Sequence, residues 1–229
     1  MSVKITWYGH AVLSLDVDGT RLLIDPFLTG NPAAATTPDQ LNPQYILVSH
    51  GHSDHVGDTV PIAKRTGATV ISNNEIAGWM QKQGVAKTEG QHIGGGHQYP
   101  FGYLKLTQAH HGSALPDGSN GGNPAGFLLT TPEGIKVYIS GDTGLFGDMK
   151  LIGEEGIDLA TLPIGDYYTM GPDDALRAVK LINPKIVIPV HYSTFDLIRQ
   201  DENAWAQKVQ AETRARVVLL KPGESFSLS

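Results

Sequence analysis

Three short apolar-rich runs open the chain, at 3–8, 11–17 and 21–24. They read as strands of a meander, with Asp18-Gly19 as the hairpin signal between the last two. From Leu41 onward the pattern changes. A strand over 45–48 precedes a helix near 58–66, then come a strand over 68–72 and a helix over 75–83 bounded by Asn73-Asn74 and Gly84. The middle returns to strands: 103–108 alternates, and 127–131 and 135–140 flank the turn Pro132-Glu133-Gly134. Strands over 159–163, 186–190 and 217–220 then alternate with helices near 172–182 and 202–213. Many strands mixed with several helices, and no composition break long enough for a linker, predict a single α/β domain over 1–229 with helices on the outer sheet faces. The segment 112–126 is too long and glycine-rich for a tight turn, which marks it as mobile or functional.

Composition removes some classes of function. The chain has 229 residues, of which 40% are apolar, enough for a sizeable core. No run of about 18 apolar residues suggests a membrane span, and the amino-terminal stretch lacks a signal-peptide core, so a cytoplasmic protein is expected. The net charge of −6 comes without basic clusters, which argues against a long nucleic acid as partner. A small-molecule substrate is expected instead, and a homo-oligomer is compatible with the sequence. With no cysteine, any metal must be held by nitrogen and oxygen donors.

Such donors are concentrated at HGHSDH, where His50, His52, Asp54 and His55 directly follow a predicted strand. Imidazole and carboxylate are ligands that Zn²⁺ and similar ions take. Further donors lie past the ends of other predicted strands: the pair His110-His111, Asp142 in SGDT, and His191 after 186–190. Loops at the carboxyl edge of an α/β sheet converge while the strands hold them rigid. Counting one histidine of the pair, seven donors can meet in one cleft. That exceeds the four or five ligands of one zinc, so two divalent ions are expected, with Asp142 as the natural bridge.

The segments WYGHAVLSL, LLIDPFLTGNP, SHGHSDHVGDT, AHHGSA, SGDTGLFGDMKLIGE, LPIGDYYTMGPDDA and PVHYSTF resemble the metallo-β-lactamase superfamily. Within it they are similar to a bacterial and archaeal metal-dependent hydrolase group related to ascorbate-6-phosphate lactonase. The resemblance spans nearly the whole chain and implies an αββα sandwich of two mixed sheets, with the metals at one edge. By position it implies His50, His52 and His111 on the first ion, Asp54, His55 and His191 on the second, and Asp142 between them. His111 is chosen over His110 by the spacing after Ala109. Ser49 stands where the superfamily often has Thr, and His97 has no counterpart.

The implied reaction is hydrolysis of an ester-like bond, in a phosphodiester or lactone, by a bridging hydroxide. Coordination brings the pKa of water down towards about 7. Asp54 is the expected proton carrier. Two divalent ions against two carboxylates and one hydroxide leave about one positive charge, which favours an anionic substrate. Zn is the first choice of metal, with Mn or Fe behind it. His10, Asp25, Thr143 and Asp166 are candidates for supporting the ligands or touching substrate. For Thr143 the simpler reading is the cap of a helix starting near Leu145. Specificity is expected in 112–126 and 165–172. The alternatives are a di-iron redox protein on the same fold, weakened by the lack of an extra Glu in the first motif, and a metal-binding module without catalysis.

Overall fold

The computed structural model describes residues 3–228. The first half of the chain forms β1 (Val3–Trp7), β2 (Leu13–Val17), β3 (Thr20–Ile24), β4 (Tyr45–Leu47), β5 (Thr69–Asn73) and β6 (Thr88–Gln91). Between these lie α1 (Ser53–Val56), α2 (Thr59–Thr66) and α3 (Asn74–Lys82). The second half forms β7 (Gly96–Tyr99), β8 (Gly102–Gln108), β9 (Ala125–Thr130), β10 (Lys136–Ile139), β11 (Leu159–Pro163), β12 (Ile186–Val190), β13 (Arg216–Val217) and β14 (Ser225–Leu228). Its helices are α4 (Met149–Glu154), α5 (Pro172–Ile182) and α6 (Glu202–Glu212).

These strands make two seven-stranded sheets, ordered β14-β1-β2-β3-β4-β5-β6 and β13-β12-β11-β10-β9-β8-β7. In the first, β14 through β3 pair antiparallel and β3 through β6 parallel. In the second, β13 through β10 pair parallel and β10 through β7 antiparallel. Two antiparallel steps restore strand direction. Thus β1, β3 and β4 all end at one edge of the first sheet, and β8, β10, β11 and β12 end together in the second. Every candidate ligand lies just past one of those ends, in a loop that must return over the same edge.

The side-chain period of a strand sets the layers. In the first sheet Leu22, Ile24, Leu47 and Ile71 join the core shared with Leu104, Leu106, Phe127 and Val137 of the second sheet. Leu23, Ile46, Val48 and Val70 face the other way and pack with Ile62 and Ala63 of α2 and Ile76 and Met80 of α3. Both faces are therefore buried, as parallel strands require. On the second sheet, α5 buries Ala175, Leu176, Ala178, Val179 and Ile182, the three-and-four spacing of one helical face. It starts with Pro172 followed by Asp173 and Asp174 and ends at Asn183 in a left-handed conformation. The result is the α/β sandwich of two mixed sheets that the resemblance implied.

Four details depart from expectation. The edge strands β6 and β7 replace predicted irregular chain, and β14 closes the first sheet beside β1. The last predicted strand, 217–220, is reduced to the two residues of β13. Strand β9 begins at Ala125, inside the segment read as loop. No helix starts near Leu145: α4 begins at Met149 after Asp148, so Thr143 caps nothing. Among the described residues no helix is long and apolar enough to cross a membrane.

Candidate functional site

Strand β4 delivers the HGHSDH segment. His50 leaves the strand buried, and the chain turns at His52 into the single turn of α1, which places Asp54 and His55 on the same side. Gly57 ends that turn at φ 40°, and a side chain there would collide with the carbonyl oxygen of Pro26. The other donors arrive singly: His111 after β8, Asp142 after β10 and His191 after β12. Gly141, at φ 59°, lets the chain pass over Ala125 and Ser49 just before Asp142.

Three overlapping groups form, each with one ligand atom per residue and all those atoms within 4.8 Å of one another: His50, His52 and His111; His10, Asp54, His55 and His191; and His50, His55 and Asp142. The seven ligand positions taken from the sequence thus converge. Asp142 Oδ2 lies 3.2 Å from His55 Nε2, 3.0 Å from His191 Nε2 and 3.6 Å from His111 Nε2. Asp54 Oδ2 lies 3.8 Å from His55 Nε2 and 3.9 Å from His191 Nε2. His50 Nε2 is 3.0 Å from His52 Nδ1. His110 is exposed, its ring tilted against Phe146, and it belongs to none of these groups, whereas His111 belongs to the first.

The remaining candidates separate clearly. Asp25 is buried after β3, and its Oδ2 lies 2.8 Å from His55 Nδ1 and accepts a 2.6 Å hydrogen bond from Ser49 Oγ. Its Oδ1 accepts from the Ser49 amide at 2.7 Å, and Ser49 Oγ is also 3.0 Å from His50 Nδ1. One carboxylate therefore fixes the His55 ring directly and the His50 ring through Ser49. His10 is buried with Nε2 3.1 Å from Asp54 Oδ2 and Nδ1 2.9 Å from Thr194 Oγ1. Its carbonyl accepts from the His191 amide, which ties the two sheet edges together. Thr143 Oγ1 accepts from the His110 amide at 2.9 Å and so joins the loops after β8 and β10. Asp166 is exposed, accepts from the Tyr167 amide and does not line the cleft.

Electrostatics fit a cation at the convergence. Burial opposes charge on Asp142 and on Asp54, yet His191 and His55 hold Asp142, and His10 and His191 hold Asp54, well below the usual carboxylate range. Burial likewise opposes charge on His55 and His191. Asp142 together with Asp25 nonetheless raises His55, and Asp142 together with Asp54 raises His191 to about 9. Burial dominates at His50 and His111, which are lowered, and at His10, lowered to about 4. The carboxylates thus demand positive charge where neutral imidazoles also point. His55 Nε2, His191 Nε2 and Asp142 Oδ1 are buried and without a hydrogen-bond partner, a costly arrangement that a divalent ion satisfies.

The backbone around the site is held in rare conformations. Outside glycine, positive φ occurs at His10, Asp25, Asp166, Tyr167, His191 and Ser193, all in loops at this edge. The two other described cases, Asp18 and Asn183, are a hairpin turn and a helix cap. Strain of this kind persists where surrounding structure over-determines it, and it gathers at functional sites.

Comparison with known proteins agrees with this geometry. The beta-lactamase superfamily domain is matched over residues 4–191. The chain belongs to this superfamily. It is 48% identical over 99% of its length, and 100% of the relative's, to a UPF0173 metal-dependent hydrolase of Bacillus cereus. It is 46% identical to one of Methanosarcina barkeri, with 100% of each chain covered. Among solved structures, Igni18, a metallo hydrolase of Ignicoccus hospitalis, superposes with a TM-score of 0.92 at 37% identity, covering 100% of this chain and 99% of that one. This superfamily member is a metal-dependent hydrolase, with His and Asp groups arranged so that they can bind metal.

Above the donors opens a cleft of about 410 Å³, lined by His10, His52, Asp54, His111, Asp142 and His191 on its floor. Phe27, Tyr168, Phe195 and Ile198 form its wall. Tyr168 comes from the 165–172 loop in which specificity was expected; sequence reading missed Phe27, Phe195 and Ile198, and it also missed the roles of Ser49 and Thr194. The signal was present: Phe27 lies two residues past Asp25 and Phe195 four past His191, in loops already marked by ligands. The 112–126 segment, expected to set specificity, contributes nothing to the lining. It folds against α3 instead, with the Asn73 side chain donating to the Gly121 and Asn123 carbonyls and Trp79 Nε1 donating to Asp117.

Proposed function

We propose that the chain, acting as one domain, holds two divalent ions and hydrolyses an ester-like bond, a phosphodiester or a lactone, in a small molecule. The observation that carries this reading is Asp142, whose Oδ2 reaches nitrogens of both donor groups, His111 on one side and His55 and His191 on the other. His50, His52 and His111 would hold the first ion, Asp54, His55 and His191 the second, with Asp142 available to both. Zn suits this set of imidazoles and carboxylates best, with Mn or Fe next. Bound divalent ions supply Lewis-acid polarisation of the scissile group and ionise water near neutral pH.

The chain's own residues do the rest. Asp25 keeps the His55 ring turned with Nε2 into the cluster, and Ser49 does the same for His50. Asp54, a third exposed at the cleft floor, takes the proton of the attacking water on a carboxylate oxygen and returns it to the leaving group. His10 holds Asp54 Oδ2 in place for that transfer. The donor groups contain no glutamate, which favours hydrolysis over a carboxylate-richer redox site.

Asp54→Asn tests the proposal. Turnover of bis-p-nitrophenyl phosphate and of simple lactones should vanish while metal analysis still finds at least one ion per chain. Undiminished turnover in that variant would discard the proton-carrying role. Full metal loading of the wild type with no turnover on any ester, lactone or phosphodiester would favour the inert binding module.

A further inference from the structure

The cleft has two unlike sides. Its floor is the donor cluster; the rest is mostly aromatic and aliphatic, broken by the Tyr168 phenol and Ser53, and no lysine or arginine lines it among the described residues. Phe27 and Phe195 both pack edge-on against the His10 ring, with centroids 5.7 Å and 5.8 Å away, so the wall rises directly from the residue that holds Asp54. Phe195 and Tyr168 leave 45% and 54% of their surface in solvent. Tyr168 packs against Tyr167, itself at positive φ, and Phe195 follows Ser193, also at positive φ. Two strained loops thus hold aromatic rings out of the core and over the reacting groups. Arg199, the cation nearest along this segment, is paired with Asp196.

A phosphate or carboxylate tail entering this cleft finds no protein cation beside the wall, and only the Tyr168 phenol and the Ser53 hydroxyl can donate to it there; the Phe27 and Phe195 rings cannot. A flat apolar group instead buries the exposed faces of Phe195 and Tyr168. Aromatic pairs gain further from edge-to-face or offset packing. The expectation of an anionic substrate rested on the charge of the ions alone, whereas the wall favours an uncharged group beside it.

We propose that the substrate is an uncharged carboxylic ester or lactone bearing an aryl group, with the ring seated against Phe195, Phe27 and Tyr168 and the carbonyl over the donor cluster. This rests on the hydrolytic reading above. Water adds its hydroxyl to the acyl carbon, the bond from that carbon to the ester oxygen breaks, and the departing oxygen takes the proton, giving a carboxylic acid and an alcohol. Phe195, Phe27 and Tyr168 are then the residues that set specificity.

The test uses the metal-loaded full chain with matched probes: γ-butyrolactones carrying a phenyl or a carboxylate substituent, and the corresponding non-hydrolysed pyrrolidinones. Calorimetry should show the phenyl pyrrolidinone binding at least about tenfold tighter than the carboxylate one, and kcat/KM should favour the phenyl lactone in the same sense. Phe195→Ala and Tyr168→Ala, at half-exposed positions, should each erode that preference about tenfold with Tm and metal content unchanged. Equal or tighter binding of the carboxylate probe, or a preference untouched by both substitutions, overturns the proposal. If the phenyl probe binds preferentially but neither lactone nor bis-p-nitrophenyl phosphate is turned over, the hydrolytic reading falls and the ligand class stands; if only bis-p-nitrophenyl phosphate is turned over, the ester or lactone class falls and the hydrolase remains. If both lactones are hydrolysed equally, the substrate class falls and the hydrolase remains.

Discussion

The first sheet delivers its chemistry from neighbouring residues, the second from isolated ones. Both sheets combine three antiparallel with three parallel pairings, and both bring strand ends to one edge. Yet His50, His52, Asp54 and His55 all follow β4, whereas His111, Asp142 and His191 each need a separate strand. A local turn can arrange the first group among themselves. The second group acquires its positions only when the second sheet is assembled, and it meets the first group only when the two sheets pack. Closure of the site therefore depends on links between the sheets, such as the His191 amide to the His10 carbonyl and the Ala125 amide to the Ser49 carbonyl. The candidate metal-binding groups are shared across a tertiary interface, so any ion bound there would be coupled to closure of the sandwich.

The largest expected effect follows from that coupling. Stripping metal with a chelator should abolish turnover and lower Tm by roughly 10 °C, the equivalent of losing about 4 kcal/mol of binding linkage in a chain of this size. Zn²⁺ or Mn²⁺ should restore both, and an unchanged melting curve would separate the ions from the fold. Next comes Asp142→Ala, which removes the one carboxylate that the second sheet brings to the donor groups among the described residues. Metal analysis should fall below two ions per chain, and kcat/KM should drop by at least about a thousandfold. Retention of two ions would end the bridging role.

Asp25→Ala acts one step removed, on the first sheet alone. It should weaken metal affinity about 10- to 100-fold, measured by competition with a chromophoric chelator, because His55 and Ser49 lose their anchor. Smallest of all is Asp117→Ala, which cuts the tie from the 112–126 segment to Trp79. Since that segment lies off the cleft, kcat/KM should stay within about twofold of wild type. A larger loss would return specificity to this loop.

The same contrast explains how much could be read from the sequence. HGHSDH advertises itself because its donors are adjacent, and the strands feeding the site carry strongly apolar runs such as Leu159–Pro163 and Ile186–Val190. Edge strands lack that signal. Thr88–Gln91 and Gly96–Tyr99 are mostly polar because each has a neighbour on one side only and little core to face. Thr143 looked like a cap because it precedes a helical stretch, but its hydroxyl was needed at the His110 amide, a contact 33 residues away in sequence. The aromatic wall was hidden for a similar reason. Phe27 and Phe195 are single aromatic residues in loops and Tyr168 is one of an adjacent pair, and only the return of three strands to one edge makes them neighbours.

The most direct measurement of the central claim is anomalous diffraction at the metal absorption edge from crystals of the metal-loaded chain. Two peaks are predicted, one beside His50, His52 and His111 and one beside Asp54, His55 and His191, both reached by Asp142. A single peak, or a second one outside these residues, would contradict the account.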